Sequence, residues 1–199
     1  SIAPVWDGNE TWLVLGGAGL LAAFPLVYSI FLPALYIGVF LLLAGLIFRG
    51  VAFEFRWRTN RGSIWWDVGF FAGSTIAALM QGIALGALVE GIAIADRAYA
   101  GGWWDWLSPF SILTGLAVVV GYALLGATWL NLKTTGELQQ RARRIAVATG
   151  AGTIALIGIV SLWTPFINPV YFDRWFGWPT AFFSAFVPLL VAVCAVALW

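Results

Sequence analysis

Long apolar runs separated by short polar segments are the main feature of the sequence. Six such runs cover residues 12–32, 34–50, 65–92, 109–132, 145–167 and 180–199. A helix needs about 20 apolar residues to cross the hydrocarbon core of a bilayer. Each run is apolar around the whole helix rather than along one stripe, as expected where helices meet lipid. The pattern predicts an all-α membrane protein in which residues 1–199 form a single domain, a bundle of about six transmembrane helices.

Composition supports this prediction and excludes one class of partner. Of the 199 residues, 62% are hydrophobic and 10% are charged, whereas soluble domains carry about 25% charged residues. The net charge is +1, and no strongly basic block is present to neutralise the phosphates of a nucleic acid. The densest basic cluster, Lys133 with Arg141, Arg143 and Arg144, is explained by membrane topology. We therefore expect membrane lipid, and no nucleic acid, as a partner.

The chain contains no histidine, one methionine and one cysteine. These are the side chains that hold zinc, copper or haem iron in most sites. A nucleophile activated by histidine is impossible, and a single cysteine excludes an intrachain disulfide. The sequence therefore predicts no catalytic residue, no metal ligand and no cofactor bound by this chain, so that any redox metal is held elsewhere.

The positions of the basic residues predict an orientation in the membrane. Most lie on alternate connections between the apolar runs, on one predicted side of the membrane: Arg49, Arg56, Arg58, Arg61, Lys133, Arg141, Arg143 and Arg144. Cytoplasmic loops carry an excess of Lys and Arg. We therefore expect the basic loops 53–64 and 133–144, together with the segment before residue 12, to be cytoplasmic. The loops rich in tryptophan, including Trp103, Trp104 and Trp106, would then face outward at the interface.

Prolines and small residues predict details of the helices. Pro25 should kink the first helix, and Pro33 is expected in the tight turn that follows it. The third apolar run carries small residues at close spacing: Gly69, Gly73, Ala77, Gly82 and Gly86. Such residues allow two helix backbones to approach each other closely, which predicts a packing seam.

Acids and indoles mark the start of the first apolar run, in the sequence VWDGNETW. Asp7 and Glu10 are placed where unpaired N–H groups and the helix dipole favour negative charge. Alternatively, these acids beside Trp6 could take up protons, because ionisable groups in membranes often mark proton relays. Both interpretations fit the sequence.

Five further polar residues lie in or beside the apolar runs, and three of them have alternative interpretations. Gln81 and Glu90 either form hydrogen bonds between helices or are steps in a path for water or protons. Arg49 either extends toward lipid headgroups or faces a carboxylate of a partner or a cofactor propionate, with Glu54 five residues later. Asp67 follows a tryptophan at a helix start, as Asp7 does.

Several segments carry a family resemblance. APVWDGNETWLVLGGAGLLAAFPLVY and LIFRGVAFEFR, followed in order by WDVGFFAGS, QGIALGALVEGI, DWLSPFSILTGL and YALLGATWLNLKTTGELQQRAR, resemble subunit II of the cytochrome bd-type quinol oxidases. The residues of these segments are most similar to those of the cyanide-insensitive branch of these enzymes. The resemblance covers nearly the whole chain, is most specific in the first 60 residues and weakens after residue 165. By this resemblance the chain looks like an internal fragment of a longer subunit.

The resemblance implies a function and a set of roles. Subunit II binds no haem and pairs in the bacterial cytoplasmic membrane with a haem-bearing subunit I. The complex takes electrons from quinol in the quinone pool of the respiratory chain, reduces oxygen to water and takes protons from the cytoplasm. Asp7 with Trp6 is then the best candidate for proton uptake, and Glu10 assists. Architectural or subunit-contact roles are implied for a second set: Arg49, Glu54, Asp67, Gln81 and Glu90.

Two other hypotheses stay open at this point. In a secondary transporter or channel, Asp7, Gln81 and Glu90 would line a path for a solute or an ion. The chain could also be a scaffold without any role in proton transfer. Haem absorption that copurifies with the protein would favour the oxidase, and solute uptake without haem would favour the transporter.

Overall fold

The computed structural model describes residues 8–58, 63–178 and 180–197, and it is helical over most of this length. Trp6 and Asp7 lie outside the described residues. The chain separates into two compact units, the first ending at Ser111 and the second beginning at Ile112. The single domain expected from the sequence stays a prediction.

The elements of the first unit are four helices and a small hairpin. They are α1 (Gly8–Ala23), α2 (Pro25–Ala34), α3 (Tyr36–Arg56), α4 (Ser63–Glu90), β1 (Ile94–Ala95) and β2 (Ala98–Tyr99). Helix α5 (Pro109–Lys133) begins at the end of this unit. The second unit continues with α6 (Glu137–Trp163), a short 3-10 helix (Thr164–Phe166), α7 (Pro169–Phe176) and α8 (Thr180–Ala197).

Four helical segments are long and apolar enough to cross a membrane: Tyr36–Arg56, Ser63–Glu90, Pro109–Lys133 and Glu137–Phe166. They correspond to the second to fifth predicted spans, and the prediction of an all-α membrane protein is confirmed. The first predicted span, 12–32, is instead divided between two shorter helices, α1 and α2. The last predicted span corresponds to α8, an 18-residue helix that contains Pro188.

The break between α1 and α2 is at Pro25, as the sequence predicts. Phe24 has φ −134° and ψ 61°, outside the helical region, and Pro25 is the first residue of α2. This is the helix position that tolerates a missing N–H group. Pro33, however, lies inside α2 and not in the following turn, so that prediction is wrong. The helix continues past Pro33 because the N–H of Leu35 still bonds to the carbonyl of Phe31, at 3.0 Å.

Helices α3 and α4 pack along the predicted seam of small residues. A Cβ atom added to Gly73 would lie 2.5 Å from the carbonyl oxygen of Gly45 and 3.0 Å from the backbone nitrogen of Arg49. A Cβ added to Gly45 would lie 2.8 Å from the carbonyl oxygen of Gly73. Only glycine at both positions allows the two backbones to approach this closely, and the prediction of a packing seam is confirmed.

Two predicted loops are shorter than expected. In 53–64, α3 continues to Arg56 and α4 begins at Ser63, and in 133–144, α6 begins at Glu137. The sequence prediction placed the ends of helices where apolar residues end. Residues 137–144 are mostly strong helix formers without proline or glycine, so the helix extends into the polar segment.

A β-hairpin precedes α5 and packs against α2. Ile94 pairs with Tyr99 and Ala95 with Ala98, and the turn between them is formed by two residues with positive φ. Trp106 was expected to face the interface with the other tryptophans of this loop. It is instead 5% exposed, whereas Trp103 and Trp104 are 76% and 65% exposed. Trp106 is buried because it joins a core cluster formed by α2, α4 and this loop: Ala34, Leu35, Met80, Ile83 and Ala87.

In the second unit, α5 and α6 pack through small residues of α6. A Cβ added to Gly152 would contact Val120 at 3.4 Å, and one added to Gly150 would contact Leu124 at 3.7 Å. The connection between these helices is short and is tied by the Gln139 side chain, which donates to the carbonyl of Asn131 at 3.0 Å. The two helices are therefore in contact both beside the turn and farther along their length.

Candidate functional site

An ion pair joins the start of α1 to α3. Glu10, in the first turn of α1, accepts a hydrogen bond from the Arg49 guanidinium. Their side chains are 25% and 22% exposed, so the pair is partly shielded from water. The Nε atom of Arg49 is buried and has no hydrogen-bond partner among the described residues. Two sequence candidates, one assigned to proton uptake and one to architecture, are thus in direct contact.

Next to this ion pair lies an apolar groove between α1–α2 and α3. Its volume is about 840 Å³, and Glu10 lies at one end, beside Leu13, Gly50 and Val51. Among the described residues that line it, only Glu10 and Tyr28 have polar side chains. The arrangement places a carboxylate at one end of an otherwise apolar groove.

A second ion pair connects α3 to α4. Arg56 donates from Nε to Oδ1 of Asp67 and from Nη2 to Oδ2 of the same carboxylate, the latter at 3.2 Å. Arg56 follows Arg49 by seven residues, which places both on the same face of α3, about 10 Å apart along its axis. Both side chains of the second pair are about half exposed, so the pair contributes little to stability. It lies in a position to fix the register of α3 against α4.

Glu54 does not share in these ion pairs. It lies on α3 between Arg49 and Arg56, is exposed and makes no ion pair within the part of the chain that the structure describes. The structure therefore gives no contact that would assign it an architectural role.

Glu90, the last residue of α4, is tied to the start of α5. The hydroxyl of Ser108 donates to the Glu90 carboxylate and accepts from the N–H of Ser111 at 2.9 Å. The Ser111 hydroxyl in turn accepts from the N–H of Ser108 at 2.9 Å, so the two serines form a reciprocal cap. Sequence reasoning missed Ser108, although SPFS before an apolar run is a recognisable helix start. Gln81 precedes Glu90 on α4 by nine residues and is partly buried.

The hairpin loop has its own polar network around Tyr99. The Tyr99 hydroxyl donates to the carbonyl of Gly102 at 2.6 Å, and the N–H of Gly102 donates to Asp105 at 2.6 Å. Burial raises the pKa of Tyr99, and the nearby charge of Asp105 raises it further. This network fixes the loop that carries Trp106 into the core.

A comparison with known protein families covers the full sequence. A family model described as cytochrome bd terminal oxidase subunit II matches residues 1–199. The chain belongs to this family. The family match favours the oxidase interpretation over the transporter alternative.

Curated relatives agree with the family assignment. The chain is 36% identical over 170 residues to cytochrome bd-I ubiquinol oxidase subunit 2 of Escherichia coli K12, covering 82% of this chain and 45% of that protein. It is 37% identical over 150 residues to cytochrome bd ubiquinol oxidase subunit 2 of Bacillus subtilis, covering 73% of this chain and 44% of the relative. A probable cytochrome oxidase subunit 2 of Haemophilus influenzae is 34% identical over 171 residues, which cover 82% and 45% of the two chains. The chain thus spans a little under half the length of these relatives.

Within this subunit II chain, the candidate residues fall into separate places. Glu10 with Arg49 and Arg56 with Asp67 are brought together in pairs, whereas Glu90 lies at the opposite end of α4 from Asp67. No group of three or more His, Cys, Asp or Glu side chains converges within residues 8–58, 63–178 and 180–197. The Glu10–Arg49 pair at the groove is therefore the place where the described residues best combine an ionisable group with an internal space.

Proposed function

We propose that this chain belongs to the haem-free subunit II of a quinol:oxygen oxidoreductase. It supports a haem-bearing subunit I in the bacterial cytoplasmic membrane and contributes to proton uptake from the cytoplasm. The family assignment and the names of the relatives, two of which are ubiquinol oxidase subunits, support the oxidase part. The role in proton uptake rests on the Glu10–Arg49 pair.

Reduction of oxygen to water consumes protons, and a reaction centre inside a membrane has to receive them through a path lined by polar groups. Glu10 is suited to the entrance of such a proton path because a quarter of its side chain is exposed, so a proton from water can reach it. Arg49 holds the carboxylate in one orientation beside the groove. In the sequence, Asp7 precedes Glu10 by three residues, and we assign these two acids with Trp6 to the same uptake site.

The other polar candidates have architectural roles in this proposal. Arg49 joins α1 to α3, Asp67 joins α4 to α3 through Arg56, and Glu90 joins the end of α4 to the start of α5 through Ser108. Gln81 contributes contacts inside the bundle. No role is assigned to Glu54, which is exposed and makes no ion pair with a described residue.

This sequence offers few of the side chains that usually ligate haem iron. The sequence has no histidine, and its one methionine, Met80, is packed in the apolar cluster beneath the hairpin. We therefore assign the haems and the oxidation of quinol to subunit I. Subunit II supplies an apolar helical surface beside subunit I and an acidic residue, Glu10, at one end of its groove.

The orientation follows from the basic residues. With the 53–64 and 133–144 segments in the cytoplasm, the Glu10–Arg49 and Arg56–Asp67 pairs are at the cytoplasmic end of α3, and the hairpin is outside. Protons taken up at Glu10 then come from the cytoplasm, so that oxygen reduction builds a proton gradient.

The proposal is tested in the complete oxidase complex with Glu10→Gln and Asp7→Asn. We expect oxygen consumption with quinol to fall about 10-fold or more in each variant, because proton transfer by a positioned acid contributes at least that much. Haem content, read from the absorption spectrum, should stay at the unmodified level. Glu54→Gln is the matched control, because this exposed acid on α3 has no ion pair with a described residue.

Three outcomes would contradict the proposal. If both variants turn over at the rate of the unmodified complex, the acids only cap the helix. If haem content falls in parallel with activity, Glu10 acts on assembly and not on proton uptake. If Glu54→Gln slows turnover as much as Glu10→Gln, the effect is one of surface charge.

A further inference from the structure

The basic cluster at the start of α6 has a charge balance unlike the rest of the chain. It combines four cations, Lys133, Arg141, Arg143 and Arg144, with one acid, Glu137. The remainder of the sequence has six cationic and eight acidic residues. The excess of positive charge is therefore concentrated in twelve residues on two adjacent helix ends.

The three arginines of this cluster are exposed and available. Arg141, Arg143 and Arg144 make no ion pair with any residue in the described part of the chain. This differs from Arg49 and Arg56 in the first unit, which hold acids of neighbouring helices. Lys133 is already engaged, since its Nζ atom lies 5.2 Å from the centre of the Trp129 ring.

Arg144 lies on the side of α6 that faces away from its packing contact, and Arg141 and Arg143 lie on the two flanks of that side. Ala142, between them, is buried. With about 100° per residue, Arg141 and Arg143 lie on either side of Ala142, and Arg144 lies about 160° from it. Gly136, the N-cap residue of α6, has φ 73° and provides no side-chain cap, and Glu137 lies in the first turn. The positive end of the helix dipole therefore lies beside the cluster.

An exposed apolar stripe continues along α6 from the arginines. Val147, Ala151 and Ile154 follow Arg144 at helical spacing on the same side, and all three are exposed. Farther along this side, a Cβ added to Gly158 would meet nothing within 4 Å. One face of α6 thus offers guanidinium groups at its end and an open apolar surface along its length.

We propose that this face of α6 is a binding site for an anionic phospholipid. The phosphodiester of the headgroup is held by Arg141, Arg143 and Arg144, and an acyl chain lies along the stripe from Val147 to Gly158. A guanidinium matches phosphate oxygens by paired hydrogen bonds, and basic residues beside a membrane span attract anionic lipids. A partner protein with an acidic surface would match the arginines but not the apolar stripe beneath them.

The site is tested by native mass spectrometry of the full oxidase complex, titrated with phosphatidylglycerol and, separately, with phosphatidylcholine. Removing one arginine near an anionic lipid should weaken binding about fivefold, so R141Q/R143Q/R144Q should bind phosphatidylglycerol about 100-fold more weakly. R141K/R143K/R144K, which keeps the charge, should retain most of the binding. R97Q/R174Q, which removes exposed arginines elsewhere in the sequence, is the control and should change binding less than twofold.

A second measurement uses the unmodified complex and does not depend on the assembly of a variant. Phosphatidylglycerol with a photoreactive acyl chain should label peptides of α6 between residues 144 and 158. Equal binding by the glutamine triple variant, equal loss in R97Q/R174Q, or labelling confined to other helices would each overturn the proposal. Displacement of the lipid by millimolar inorganic phosphate alone would reassign the site to a free anion. Loss of a copurifying acidic protein in the glutamine variant, with lipid binding unchanged, would reassign it to a protein interface.

Discussion

The close approach of the α3 and α4 backbones at Gly73 gives a quantitative prediction. In Gly73→Ala, the new Cβ would lie 2.5 Å from the carbonyl oxygen of Gly45, whereas ordinary contacts begin at 3.4 Å. Helices α3 and α4 therefore have to separate by about 0.9 Å at this point, since both contacting groups are backbone atoms. Overpacking of this kind costs about 1–3 kcal/mol.

The assay is thermal unfolding of the detergent-solubilised complex, followed by tryptophan fluorescence. For a chain of this size, about 1 kcal/mol corresponds to a shift of about 2–4 °C in Tm, so Gly73→Ala should lower Tm by about 2–12 °C. The shift should also disturb the Glu10–Arg49 pair, because the same Cβ would lie 3.0 Å from the backbone nitrogen of Arg49.

Gly69→Ala is the matched control on the same helix. Its Cβ would lie 3.8 Å from the Cβ of Ala52, an ordinary van der Waals distance, and alanine has the higher helix propensity. This variant should melt at or above the temperature of the unmodified protein. If Gly73→Ala has the same Tm as Gly69→Ala, the close approach of the two backbones does not determine stability and the reasoning is refuted.

Two further predictions concern the loop between α4 and α5. Ser108→Ala removes the hydroxyl that donates to Glu90 and caps α5, so it should lower stability by about 1 kcal/mol. Ser108→Thr keeps the hydroxyl and is the control. If the Ala and Thr variants have the same Tm, the Ser108 hydroxyl does not contribute to stability as a helix cap. Because the folded-state pKa of Tyr99 is raised, its stabilising effect is complete below about pH 10 and is lost as the pH rises toward the folded-state value. In titrations of tyrosinate absorbance, Tyr99→Phe should remove a phenol whose pKa lies above the usual value of about 10, and an unchanged curve would contradict the assignment.

Apolar runs were a good guide to the membrane helices and a poor guide to their ends. The run at 109–132 coincides with α5 to within one residue, because a run of apolar residues both forms a helix and requires lipid. Helix α6, however, starts eight residues before the apolar run at 145. The length of a helix is set by backbone hydrogen bonding and by the helix propensity of its residues. Neither changes where the chain leaves the hydrocarbon core of the bilayer.

Contacts between distant residues were less predictable than the helices. Glu10 and Arg49 are 39 residues apart, and the sequence indicated only that both are at the same predicted side of the membrane. The partner of each charge depends on how α1, α2 and α3 pack, which local pattern does not encode. The same holds for Trp106, whose residue type suits an interface but whose neighbours place it in the core.

The hairpin turn at Asp96 and Arg97 has a consequence for the order of assembly. Both residues have positive φ, 48° and 63°, and a two-residue turn of this type favours Asn-Gly or Asp-Gly, because left-handed backbone costs other residues about 1–2 kcal/mol. Arginine at the second position gives the turn little intrinsic tendency to form. The packing of Trp106 and Tyr99 over the ends of α2 and α4 has to compensate. We therefore expect this hairpin to take its shape late in biogenesis, after α2 and α4 have packed against each other.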